Sequence, residues 1–343
     1  MTKTFKLSVI FFISTLFLVL MRIIFSFSNL SDNVSGWLFS FAVQVVGMGL
    51  IPLLLYKFWV KDDILTGLYI KTKIPTKIFG LAIVIGFLFR YLTVGVSVIY
   101  QVIIRLLGFT HINSAGTIYS GPEVLIMDIL CTAILPAIFE EITDRGITMR
   151  LFNDVKEDKM KIIFMAILFA LAHQNIVQTG YTFAGGLVIA YLAVKTKSIL
   201  PGVIVHFMNN FFSVISGYSG QHNGLFAFYE NKLFQLINDY FLLAVISFIV
   251  CGVVLVMLLR YIADIMKKSS SDAARKELSQ PENFHTYTPN GSNLEHLNDL
   301  FGFSTPKNAI KIRSKWYEYA FLYGAIALGL LTTLFTFLWG LWR

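Results

Sequence analysis

Charge is scarce in this sequence. Only 14% of its 343 residues are Asp, Glu, Lys or Arg, against about 25% in soluble globular domains. Hydrophobic residues make up 56%, and the mean hydropathy is +0.69. An ordinary water-soluble globule is thereby excluded. Cysteine is scarcer still. Cys131 and Cys251 both lie inside apolar runs, which argues against a disulfide framework and against a C-x-x-C metal site. There is no H-E-x-x-H, so a zincin-type centre is unsupported. No Ser/His/Asp arrangement competes, no glycine loop could cradle a phosphate, and no internal repeat is present. The first 28 residues, led by Lys3 and Lys6, hold an apolar run of about 20 residues with no small-x-small site after it. They read as an uncleaved first span rather than a signal peptide.

What is there is a series of apolar stretches of about 20 residues or more, long enough to cross a bilayer. They fall at 6–28, 37–59, 78–107, 123–148, 235–263 and 316–342, and the apolar sequence from 160 to 217 divides into spans near 160–178, 180–195 and 198–217. The expected fold is an all-α, polytopic transmembrane bundle of about nine spans. Net charge is +8, which in a soluble protein would suggest nucleic acid. Here 23 of the 28 Lys and Arg residues fall in alternate connections, among them Lys57 to Lys77, Arg145 to Lys161, Lys195, Lys197 and the stretch from Arg260 to Lys315. The opposite connections contribute only Lys232. The positive-inside rule predicts a cytoplasmic N-terminus and an external C-terminus. Trp37, Trp59, Trp316, Trp339 and Trp342 stand at span ends, where an aromatic belt belongs. Residues 264–315 are polar and read as a cytoplasmic connector. In it, Leu294, Leu297, Leu300 and Phe301 recur at helical spacing, which suggests a short amphipathic helix on the bilayer or on a partner. The sequon at Asn290-Gly291-Ser292 has no meaning on that face.

Ionisable residues at membrane depth are the informative exception. The fourth span carries Glu140, Glu141, Asp144 and Arg145, each costing about 2.5–3.5 kcal/mol at a helix centre and less toward the interface. Glu141 and Arg145 are four apart and can pair, whereas Glu140 points elsewhere with Asp144 one turn below. The plainer alternative is that the span ends near Phe139 and the charges are interfacial. The fifth span places His173 about 20 Å from its start, and the seventh places His206 and Asn210 about 12 and 18 Å in. A lone histidine in a membrane is most simply an inter-helix hydrogen bond. Two histidines, an asparagine and two glutamates on three spans favour a site. Such a Glu can act as general base on a water, His173 can share or orient that water, and His206 with Asn210 can stabilise an oxyanion. Those are the parts for amide hydrolysis, and Glu, His and His also suit a tetrahedral Zn²⁺ with an open position.

At these residues the sequence resembles a family of intramembrane proteases, the CPBP family of CAAX prenyl endopeptidases and bacteriocin-processing proteins. The Glu-Glu-x-x-x-Arg motif is Glu140, Glu141 and Arg145, followed by Gly146. The Phe-x-x-x-His motif is Phe169 and His173, and the His-x-x-x-Asn motif is His206 and Asn210. The resemblance covers about 80–217. It implies an all-helical core with a cavity opening toward the cytoplasmic leaflet, Glu140 as water-activating base, His173 beside it, and His206 with Asn210 as oxyanion pocket. Glu141, Arg145 and Phe169 would support them. It implies either no cofactor or a Zn²⁺ held by Glu140, His173 and His206. Asp144 departs from the apolar or aromatic residue usual before the motif arginine; it would perturb Glu140 or compete for Arg145.

The expected organisation is a two-span extension (1–77), a catalytic core (78–217), an eighth span (218–263), the polar loop (264–315) and a last span (316–343). The expected function is an endopeptidase cutting a peptide or membrane-protein segment in a bacterial plasma membrane, the bacterial source being read from the Lys-, Ile-, Phe- and Asn-rich composition. The expected partners are that substrate, the bilayer and another membrane protein at the 264–315 loop, with no nucleic acid. An inactive family scaffold that binds another membrane protein is the alternative. A transporter is a weaker one, since paired broken helices and repeats are absent.

Overall fold

The computed structural model describes residues 1–27, 32–110, 117–222, 239–278 and 315–341, together with 224 and 235. Every regular element among them is helical. In lipid the backbone has no water to bond, so a spanning segment must satisfy its N–H and C=O groups within itself. The main helices are α1 (Lys3–Ser26), α2 (Asn33–Val60), α3 (Lys77–Leu106), α4 (Pro122–Leu151), α5 (Asp158–Ala172), α6 (Ile176–Thr196), α7 (Leu200–Gln221), α8 (Phe241–Leu278) and α9 (Ala320–Leu341). Among the described residues seven segments are long and apolar enough to cross a membrane: α1, α2, α3, α4, α6, α8 and the last helix. Of the remaining two, the 15-residue α5 is capped at its C-terminus by one motif histidine, His173, and the polar-interrupted α7 contains the other, His206.

Two boundaries differ from the sequence expectation. The stretch 160–178 is not one span. Helix α5 stops at Ala172, Gln174 turns the chain in the left-handed region (φ 50°), and Asn175 starts α6 by accepting the Val177 N–H at 3.0 Å. The break is made by capping chemistry within an apolar run, which hydropathy does not register. Helix α6 gains the residues that α5 loses. At the other end, α8 continues to Leu278 rather than yielding to a loop at 264, and Ile265 and Met266 still pack on the core. Lys232, Lys307, Lys311, Arg313 and Trp342, the sequon at 290–292 and the proposed amphipathic stretch at 294–301 lie outside the described residues.

The bundle packs through two main apolar clusters. One joins Leu7, Ile10 and Phe11 of α1 to Tyr56, Ile147, Met165 and Leu168; the other joins Ile78, Ile85 and Phe89 of α3 to Leu192, Val205 and Leu259. Without a hydrophobic drive between helices in lipid, close packing has to hold them. Small residues permit it. A Cβ on Gly186 would lie 2.8 Å from the Ala166 Cα, so α5 and α6 touch backbone to backbone. At the lysine-rich end, Asp62 ties three helices together. It pairs with Lys3 at the start of α1 and with Arg150 of α4 at 3.1 Å, and accepts the Tyr56 hydroxyl at 2.9 Å. The Lys3 hydrogen bond, with help from Tyr56 and Arg150, holds the Asp62 carboxyl down at about 2. Lys195 and Asp158 pair at 2.8 Å, joining α6 to α5.

Candidate active site

Helix α4 is interrupted by two π-helical stretches, Ile129–Ile134 and Glu141–Ile147. Such stretches are rare and concentrate at functional sites. The second one contains the charged motif. The chain remains helical to Leu151, and Glu141, Asp144 and Arg145 are 0%, 1% and 0% exposed. The helix therefore does not end near Phe139, and these three side chains are buried among the helices rather than exposed at its end.

The two adjacent glutamates have different surroundings. Glu141 Oε1 accepts from Arg145 Nη1 at 2.9 Å and sits 2.9 Å from His206 Nδ1. Arg145 in turn lies over the Phe169 ring, 4.1 Å from its centroid, and that ring meets both His173 and His206 edge-on. Helix α7 can bring His206 this close because position 202 is glycine, where a Cβ would stand 3.2 Å from Glu141 Oε2. A buried pair needs this further bonding to offset its desolvation. Glu140, by contrast, borders a cavity of about 620 Å³. Its Oε1 accepts a hydrogen bond from Gln44 Nε2 at 2.7 Å, and its Oε2 lies 3.8 Å from His206 Nε2 with no hydrogen-bond partner.

His173 and Asn210 line the same cavity. His173 Nδ1 is 2.8 Å from the Phe169 carbonyl, to which it must donate, so a neutral ring leaves Nε2 as an acceptor. Arg22 of α1 donates to the His173 carbonyl at 3.0 Å and steadies the turn between α5 and α6. Asn210 is less available than its place in the motif suggests: Nδ2 donates to the Thr132 carbonyl at 3.0 Å, and Oδ1 accepts from Asn209 at 3.1 Å. Asp144 lines the cavity, and both its oxygens lack hydrogen-bond partners. The site thus brings together Glu140, His206, His173 and Asp144 on the cavity wall, with Asn210 bonded beside them. Phe169 also lines the wall, and Glu141 and Arg145 lie behind.

Among the described residues no three His, Cys, Asp or Glu side chains converge as the ligands of one metal ion do. Nδ1 of both histidines is engaged, His206 by Glu141 and His173 by a carbonyl, which leaves each Nε2 open. What is lacking is convergence with Glu140 rather than a free ring nitrogen. A Zn²⁺ set of Glu140, His173 and His206 does not fit this arrangement.

The cavity extends along the bundle. From Asp144 and Ile189 its lining runs past Thr132 and Ser97 to Arg22, four residues from the end of α1, and Gln178, in the first turn of α6. Those helix ends are opposite the lysine-rich connections. The resemblance implies a cavity facing the cytoplasmic leaflet. The lining runs from the lysine-rich half of the bundle toward its opposite end, and α4 sets its charges past its midpoint, toward the lysine-rich connections.

Gln44 and Arg22 belong to helices that sequence reasoning left unassigned. Polar side chains in otherwise apolar spans were the available signal, and each is a single residue without a motif around it. Residues 122–212 match the family model described as type II CAAX prenyl endopeptidase Rce1-like. That stretch holds Glu140 to Arg145, Phe169, His173, His206 and Asn210. It is narrower than 80–217 and leaves out α1, α2 and α3. Neither a curated protein nor a solved structure matches the chain.

Proposed function

We propose that this membrane protein is an endopeptidase that hydrolyses a peptide bond in a polypeptide segment entering the cavity between α2, α4, α5 and α7. The observation that carries the proposal is the unpartnered Oε2 of Glu140, facing a cavity between two histidines within a segment that matches a peptidase family. In this reading a water held by Glu140 and by the acceptor nitrogen of His173 gives its proton to Glu140 and attacks the scissile carbonyl. His206 bonds Glu141 through Nδ1 and presents Nε2 to the cavity. In its doubly protonated form it lies between two carboxylates and donates Nε2–H to the oxyanion. Glu140 then returns the proton to the departing amine. The spare Asn210 N–H is a second oxyanion donor. Substrates are peptides or membrane-protein segments cut near the cytoplasmic leaflet, since Glu140 lies past the midpoint of α4 on the side of the lysine-rich connections.

The test compares cells expressing wild type, Glu140→Ala and His206→Ala at equal levels, reading released and membrane-retained peptides by mass spectrometry. Removal of a general base costs about 10²–10⁴-fold, so peptides specific to wild type should fall at least about 100-fold with Glu140→Ala. Full complementation of a deletion by both variants would sink the endopeptidase reading and leave the scaffold alternative.

A further inference from the structure

We infer that Gln44 is a positioning residue for Glu140, so that the N-terminal helices, which lie outside the matched segment, complete the catalytic site. The inference rests on the reading of Glu140 as the water-activating base. Gln44 is buried in a π-helical stretch of α2, Ala42–Leu50. Its Nε2 donates to Glu140 Oε1 at 2.7 Å across 96 residues of sequence. Two neighbouring contacts fix the register of α2 on α4. Thr143 Oγ1 donates to the Met48 carbonyl at 2.7 Å, and a Cβ on Gly49 would meet the Phe139 ring at 2.7 Å. The Gln44 bond is therefore built into a close helix contact.

A glutamate carboxylate turns freely about its last torsion, which has no staggered wells. Pinning one oxygen removes that freedom. With Oε1 held by Gln44, Oε2 is the oxygen left facing His206, at 3.8 Å, and the one able to hold a water. An amide suits this task. It donates a hydrogen bond to the carboxylate without bringing a cation that would compete with a water for the second oxygen. The same pair of helices also steadies the other side of the water site, since Arg22 donates to the His173 carbonyl.

The full-length protein in lipid nanodiscs is treated with dicyclohexylcarbodiimide, an apolar reagent for membrane-buried carboxyl groups. Its rate of addition to Glu140 is read by mass spectrometry, with Asp128 of the same helix as internal reference. Glu140→Gln supplies the blank. Charge-assisted hydrogen bonds carry an energy equivalent to about tenfold or more. Gln44→Leu should therefore raise the rate at Glu140 about tenfold and leave Asp128 unchanged. Gln44→Asn, whose shorter amide falls short of the carboxylate, should move it the same way and serves if the leucine variant does not fold. Thr143→Val, which removes the neighbouring α2–α4 bond, should leave the Glu140 rate near wild type; a general loosening of the interface would move it. On a reporter peptide carrying a cleavage site found by the Glu140→Ala comparison, Gln44→Leu should lower kcat about tenfold with KM unchanged. An unchanged Glu140 rate in folded Gln44 variants overturns the inference. A changed rate in a protein that shows no Glu140-dependent peptide release upholds the Gln44 contact and overturns the endopeptidase reading instead.

Discussion

Glu140 and Glu141 are neighbours in sequence, yet one borders a cavity and the other is sealed behind it. Removing either should therefore have opposite consequences. Taking one partner from a buried ion pair leaves an uncompensated charge and costs about 3–5 kcal/mol. Glu141→Ala strands Arg145 and takes from His206 Nδ1 its partner, both inside the bundle. It should lower the thermal unfolding midpoint sharply or abolish folding in detergent. Glu140→Ala removes a side chain from a cavity wall and should stay within about 1 kcal/mol of wild type, a typical figure for a single substitution. Thermal unfolding of the two purified variants checks this, and equal losses would contradict the division of the two carboxylates. The same contrast makes Glu140→Ala a usable inactive variant, because a lost activity would not be a lost fold.

At the scale of the helices, the short α5–α6 hairpin carries Phe169 and His173 to the cavity, and its two arms meet through Gly186. An added methyl there would press on the Ala166 backbone, which cannot rotate away as a side chain could. Gly186→Ala should cost about 1–3 kcal/mol, the usual range for overpacking. It should also reduce Glu140-dependent peptide release by displacing His173. Gly80 on α3 has open space where its Cβ would be, so Gly80→Ala should be neutral or slightly stabilising. Thermal unfolding with a release assay separates the two. Much of this level was legible in the sequence. Apolar runs located α1, α3 and α4 to within a few residues, because length and hydropathy are all a membrane span requires. The α5–α6 turn was not, because Gln174 and Asn175 break the helix by backbone conformation and capping inside a run that hydropathy reads as continuous. Nor were the π-helical stretches of α2 and α4, which leave no mark on composition.

For the whole molecule, orientation decides what the cavity faces. The charge distribution predicts the lysine-rich connections inside, which puts Glu140, past the midpoint of α4, in the inner half of the bilayer. In a chain with Cys131 and Cys251 replaced by alanine, a membrane-impermeant maleimide should label Gly220→Cys in intact cells. It should label Lys71→Cys only after permeabilisation; both positions are exposed. The reverse pattern would move Glu140 to the outer half of the bilayer and the expected substrates with it.

The sequence by itself determined that the chain is helical and membrane-bound, since so few charges and such long apolar runs allow little else in lipid or water. It also marked Glu140, Glu141, Arg145, His173 and His206, because ionisable groups at membrane depth are too costly to be incidental. Only the tertiary structure decided which of the two glutamates meets the cavity, that Gln44 bonds it, that the Asn210 amide is already engaged, and which side chains line the cavity. Those properties depend on how one helix is rotated and set against another far away in the chain. In a bilayer that is fixed by close side-chain packing, which no periodicity along a single span records.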